Sequence, residues 1–157
     1  MTNEENDICT WGNGSAGMVK VDFAQTWLSV SSGGVHDAAL SLGNSVYAWG
    51  QGKEGQLGVG DAVTHREEPT LVPLYGYSSF PLKVTSVTCG PLQTGAITEE
   101  GELYLWGALP NLGITKTPVK QPLPGKARGV KEGCFSPSTV ICLMREVGGS
   151  SNTVWTW

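Results

Sequence analysis

VSSGGVHDAALSLGNSVYAWGQGKEGQLGVG, residues Val30–Gly60, is the stretch that decides how this chain folds. It holds two runs of strand character, His36–Leu42 and Ser45–Trp49, on either side of a Gly43-Asn44 turn, and a glycine-rich loop follows at once. Short β-branched and aromatic runs bounded by Gly and Asn read as a hairpin. The same unit recurs along the chain. Aligning on Trp-Gly gives Ile8–Gly12, Val46–Gly50 and Leu103–Gly107, with a further copy in Val154–Trp157. Val-x-x-Gly lies upstream of three of them, at Val30–Gly33, Val87–Gly90 and Val130–Gly133. Gly33 precedes Trp49 by 16 residues and Gly90 precedes Trp106 by the same 16, whereas Gly133 and Trp157 are 24 apart. The excess falls on a hairpin tip at 145–152. Between the units, Pro69-Thr-Leu-Val-Pro-Leu74 matches Pro118-Val-Lys-Gln-Pro-Leu123.

Each full unit offers four short strands, in the second about Pro69–Leu74, Lys83–Cys89, Gln93–Thr98 and Glu102–Trp106. Both parities of these runs are apolar, as expected of a sheet covered on both faces. No long window has helical periodicity. Pro69 and Pro118 suit the start of a strand and Pro73 and Pro122 an edge, where a missing N–H does least harm. A four-stranded unit repeated every 40–55 residues or so, with a glycine and aromatic signature, is the mark of a propeller blade. The expected fold is all-β: a partial β-propeller of about three four-stranded blades plus an N-terminal closing strand. Its expected units are a strand and loop at 7–17, then blades at 18–60, 61–107 and 108–157.

Gly33-x-x-His36, Ala39-Leu40, Val46–Gly50, Gly55-Gln-Leu-Gly58 and Gly60-Asp61 together closely resemble one repeat of the regulator of chromosome condensation (RCC1) family. The second copy keeps Gly90, Ala96-Ile97, Gly101 and Leu103–Gly107 but has Gln93 in the histidine slot and lacks the Gly-Gln-Leu-Gly turn. The third keeps Gly133, Val140 and the tryptophan. The resemblance implies an RCC1-like propeller, and for the founding member it implies guanine-nucleotide exchange on a small Ran-like GTPase. In such rings an N-terminal strand completes the last blade, so Asp7–Trp11 is expected to be half of a clasp. Because propellers close with about four to eight blades, further blades or self-association are expected to complete the ring.

Composition narrows the function. The net charge is −4 and the ten basic residues are scattered, which argues against a nucleic-acid surface. No run reaches the roughly 20 apolar residues of a membrane span. The acidic start MTNEENDI is unlike a signal peptide, and a cytoplasmic location is expected, with a nuclear one as the alternative. Cys9, Cys89, Cys134 and Cys142 lack CxxC spacing and read as free thiols. Gly-x-Gly-x-x-Gly occurs at Gly12–Gly17 and Gly50–Gly55, but no helix signal follows either copy, so turn geometry is expected rather than dinucleotide binding. His36 aligns with Gln93 and Ser136, which suggests a hydrogen-bonding slot between blades rather than a catalytic base. With only His36 and His65, no histidine-based metal site is expected, and no cofactor or catalytic constellation.

Function is therefore expected on loops that break the repeat. Two stand out: the aromatic insert Tyr75–Leu82, with Tyr75, Tyr77 and Phe80, and the polar stretch Asp61–Glu68, with Asp61, His65 and Arg66. The reading is a protein–protein interaction scaffold in cytoplasmic signalling, with exchange on a small GTPase as the alternative.

Overall fold

The computed structural model describes residues 7–10, 19–21, 24–76, 79–110, 112–123, 127–136, 139–146 and 152–156. Every regular element among them is a strand. The first sheet consists of β3 (Trp27–Ser32), β4 (His36–Ser41), β5 (Val46–Gln51) and β6 (His65–Leu71), hydrogen-bonded in that order. The second repeats the pattern with β7 (Val84–Cys89), β8 (Gln93–Thr98), β9 (Leu103–Leu109) and β10 (Gly113–Lys120). A third holds β11 (Ala127–Ser136), β12 (Thr139–Glu146) and β13 (Asn152–Thr156). The closing strand is β1 (Ile8–Thr10), which pairs antiparallel with β2 (Val19–Val21). These antiparallel meanders are propeller blades.

The cut between units differs from the sequence reading. The strand placed at the head of the second unit, 69–74, is β6 at His65–Leu71, and it pairs with β5 of the first sheet (Tyr47↔Leu71, Gln51↔His65). β10, the matching strand, pairs with β9 in the second sheet. Both strands close the blade before them, so the sheets span 27–71, 84–120 and 127–156. Repetition reveals a period but not a phase; the free hydrogen-bonding edge of β5 decides where the strand goes. The prolines also move. Pro69 lies in the register shift between Ala48 and Gly50, and Pro118 in the shift between Thr115 and Val119. In both places an outermost strand bulges, and the missing N–H breaks no ladder bond.

The core lies between sheets. Ala38, Leu40, Val46 and Ala48 of the first meet Val84, Val87, Ala96, Tyr104 and Trp106 of the second. Ile97, Leu103 and Leu105, from the opposite parity of the second sheet, meet Val130, Val140, Cys142 and Met144 of the third. Covering both faces of the second sheet explains why its two central strands are buried on both parities, β8 at every position and β9 at all but one.

The turns tie neighbouring blades together. Asn44, at φ 61°, offers its carbonyl to the Val84 amide at 3.0 Å, and its side-chain amide donates to the Val84 carbonyl. Gly101, 57 residues on and at φ 78°, accepts the Val130 amide in the same way. Left-handed backbone is tolerated best by Gly and next by Asn, hence the residue types at these two turns.

Candidate functional site

In the first two sheets the Val-x-x-Gly signature closes the first strand, and the reason for its glycine is close approach. A β-carbon on Gly33 would stand 2.4 Å from the carbonyl oxygen of Gly90 in the next blade. One on Gly90 would stand 2.6 Å from the Phe135 β-carbon in the blade after that. At Gly33 glycine is required because the backbone of the next blade lies against it; at Gly90 the neighbours are the Phe135 and Gln93 side chains.

Beside Gly33, His36 is 2 % exposed, and its Nε2 lies 2.7 Å from Thr94 Oγ1 on β8. The Thr94 hydroxyl donates its one proton to the carbonyl of Gln56, at 2.7 Å. It follows that Nε2 carries the imidazole proton and donates it to Thr94, leaving Nδ1 bare; Nδ1 has no partner among the described residues. Trp106 Nε1 donates to the same Gln56 carbonyl at 2.9 Å. Burial in this junction lowers the His36 pKa to about 4, with Asp37 opposing the shift. A neutral imidazole, buried and hydrogen-bonded from one blade to the next, acts as a structural bridge. Thr94 and Gln56, its partners, were not singled out by the sequence reading. Gln56 stood within a quoted motif, but nothing in one sequence marks a backbone carbonyl as an acceptor.

The second Gly-x-Gly-x-x-Gly copy is likewise structural. Gly50 and Gly55 adopt φ of 97° and 78°, and no helix begins in the loop. The loop crosses to the second blade instead, where the Gly60 amide donates to the Lys116 carbonyl and Asp61 pairs with Lys116 at 3.5 Å. Of the thiols, Cys142 is buried, and burial pushes Cys89 up to about 12. Neither environment makes a reactive thiolate. The first glycine loop and Tyr77 lie outside the described residues.

The named partner-binding residues fall into two groups that the fold does not bring together. β6 runs from His65, opposite Gln51, to Leu71, opposite Tyr47; at about 3.3 Å per residue, its ends are roughly 20 Å apart. Asp61, His65 and Arg66 are exposed at the first end. Exposed apolar residues that the sequence reading passed over, Val35, Leu92, Leu112 and Ile114, accompany that end of the blades. Leu92 accepts the Ala108 amide, and Ala108 pairs with Ile114, so these three form one cross-strand row.

Tyr75 and Phe80 stand at the opposite end. The insert doubles back as a small hairpin: Tyr75 bridges Pro81, the Gly76 amide donates to Phe80 O at 3.0 Å, and Ser79 adopts φ 60°. Its base is fixed by the Leu82 amide on the Leu74 carbonyl and by the burial of Leu74 in the inter-blade core. Its rings remain in solvent, Tyr75 54 % and Phe80 72 % exposed, and Leu71, which lines the same hollow as Tyr75, is exposed too. A rigid base carrying two exposed aromatic rings has the geometry of a protein anchor.

Comparison with known proteins agrees with this architecture. Residues 44–97 match the model of the regulator of chromosome condensation (RCC1) repeat. Over 80 residues the chain is 40% identical to the human E3 ubiquitin-protein ligase HERC2, a match that takes in 51% of this chain and 2% of the ligase. Among solved structures it superposes on human WBSCR16 with a TM-score of 0.72 and 22% identity, over 90% of this chain and 36% of that one. It superposes on Prp20p of Saccharomyces cerevisiae, described with its binding to Gsp1p and histones, with a TM-score of 0.66 and 25% identity; 84% of this chain and 32% of the yeast protein are covered. The chain thus spans a small part of the ligase and about a third of each solved propeller.

Proposed function

Because the chain belongs to the RCC1 repeat family, we propose that it is a protein-interaction scaffold: a rigid stack of blades that holds a partner through its loops. The observation that carries this reading is the Tyr75–Pro81 hairpin, two exposed aromatic rings on a base locked into the inter-blade core. Such anchors bind at low entropic cost because the loop is ordered beforehand. A cytoplasmic signalling role remains part of the proposal. The test places a photo-crosslinking side chain at Phe80 and, as a control, at Glu99. Specific capture of one protein from Phe80, lost on adding excess unmodified chain but not excess Phe80→Ala chain, is the expected result. Equal labelling from both positions would defeat the reading.

A second reading is exchange on a small GTPase, favoured by the likeness to Prp20p, whose description names Gsp1p. An exchange factor needs no reacting side chains; it binds the nucleotide-free GTPase more tightly than the loaded one and so drives release. Release of fluorescent GDP from a panel of small GTPases separates the two readings. The scaffold predicts no acceleration over background.

A further inference from the structure

The aromatic hairpin has two edges, and only one of them can both donate and accept. Two hydrogen bonds hold it: the Gly76 amide donates to the Phe80 carbonyl at 3.0 Å, and the Leu82 amide donates to the Leu74 carbonyl at 2.9 Å. Tyr75 and Pro81 face each other between these bonds, as the non-hydrogen-bonded pair of an antiparallel ladder. In such a pair each residue turns its own N–H and C=O outward, away from the opposite strand. On the outer side of Pro81 there is no N–H to offer. On the outer side of Tyr75 both groups exist, and neither has a partner among the described residues.

Tyr75 also lines a hollow, with Leu71, Pro73, Pro81 and Leu82 among the other residues around it, and no lining residue is charged. Leu71, Pro73 and Tyr75 are exposed, so the apolar wall is accessible from solvent. Other strand edges are less open to addition. The outermost strands β6 and β10 are bulged at Pro69 and Pro118, and a proline or a bulge blunts an edge.

We propose that Tyr75 and this hollow form the docking site for a short extended segment of a partner protein, one that carries an aliphatic side chain and a free backbone N–H. This deepens the scaffold reading, on which it rests, by naming the chemistry of the partner. One residue of the segment exchanges both backbone groups with Tyr75, N–H to C=O in each direction, and an aliphatic side chain lies against Leu71, Pro73 and Tyr75. The site selects this occupant over others. A helix keeps its backbone groups bonded internally and has none to give Tyr75. A polyproline segment lacks the N–H that the Tyr75 carbonyl would accept. A charged side chain would be desolvated against a wall that offers it no partner. Pro73, two residues before Tyr75, has no N–H either, so the ladder is short and the side chains supply the remaining specificity.

The test pans random ten-residue peptides displayed on phage against the full chain, with counter-selection on the Leu71→Glu chain. Leu71 is exposed on an outermost strand, and an unchanged melting curve confirms that this variant folds. Peptides that prefer the unaltered chain, with an aliphatic residue in common, are expected. Once bound, they slow hydrogen exchange of the Tyr75 amide about tenfold or more, and methylating one internal peptide nitrogen weakens them by about tenfold. Three results would each overturn the proposal: no peptide that distinguishes the chain from Leu71→Glu, proline-rich peptides indifferent to N-methylation, or bound peptides that leave Tyr75 exchange unchanged. A protein captured specifically from Phe80 that also left Tyr75 exchange unchanged would overturn this proposal alone and leave the scaffold reading standing.

Discussion

The two junctions of the second blade solve one packing problem differently. Toward the first blade, contact near the inner hairpins is polar and exact in geometry: His36, Thr94, the Gln56 carbonyl and Trp106 form a closed relay. Toward the third blade, Gln93 replaces the histidine and turns back on its own loop, its Oε1 accepting the Leu92 amide. The gap there is filled by Phe135, whose ring and β-carbon lie against Gly95 and Gly90. The first junction has a buried side-chain relay; at the second, Thr88 Oγ1 donates to the Gly133 carbonyl at 3.1 Å and a half-buried phenyl ring packs against two glycines. Buried polar groups raise the cost of a wrong arrangement more than they raise the stability of the right one.

Substitutions can break this comparison or sharpen it. The largest effect belongs to Trp106→Ala, which empties a fully buried indole site and removes a donor to Gln56; a loss of about 4 kcal/mol is expected from urea denaturation. Phe135→Ala should cost less, about 2–3 kcal/mol, because the ring is only half-buried. If the order were reversed, the aromatic junction would be the stronger. Gly33→Ala follows, at about 2 kcal/mol, since the added carbon meets backbone that cannot yield. Gly60→Ala, with open space around it, should cost less and only through its positive φ.

His36 also makes the first junction sensitive to acid. Its folded pKa of about 4 lies below the ordinary 6.5, so the unfolded chain binds the proton more readily. The stability it supports is complete above pH 6.5 and falls as the pH drops toward 4, by at most about 1.4 kcal/mol per pH unit. His36→Gln should flatten denaturation midpoints between pH 6.5 and 5, with a loss near 1 kcal/mol at neutral pH. An unchanged slope in that variant would place the acid sensitivity elsewhere. Smallest of all, Phe80→Ala should shift stability by less than about 0.5 kcal/mol, since the ring is in solvent.

Strand character, the hairpin turn at Asn44 and the four-strand repeat were legible in one sequence because glycine, proline and aromatic residues recur where the backbone demands them. Even the bridging role of His36 could be inferred from Gln93 and Ser136 in the same slot. The blade boundaries could not, since a repeating pattern has no intrinsic starting point. The candidate surface was read only in part: Asp61, His65, Arg66, Tyr75 and Phe80 were marked by composition, but not their separation to opposite ends of one blade. Residues four and ten apart in the chain say nothing about which end of a strand they reach.

Local chemistry alone therefore determined that this chain makes short antiparallel strands in sibling sheets, because turn and strand preferences act between near neighbours. Only tertiary structure decided which sheet owns β6 and β10, why Gly33 admits no side chain, and that His36 meets Thr94 and the Gln56 carbonyl across two blades. Those outcomes depend on backbone edges and side chains brought together from positions tens of residues apart, and they exist only once the sheets are stacked.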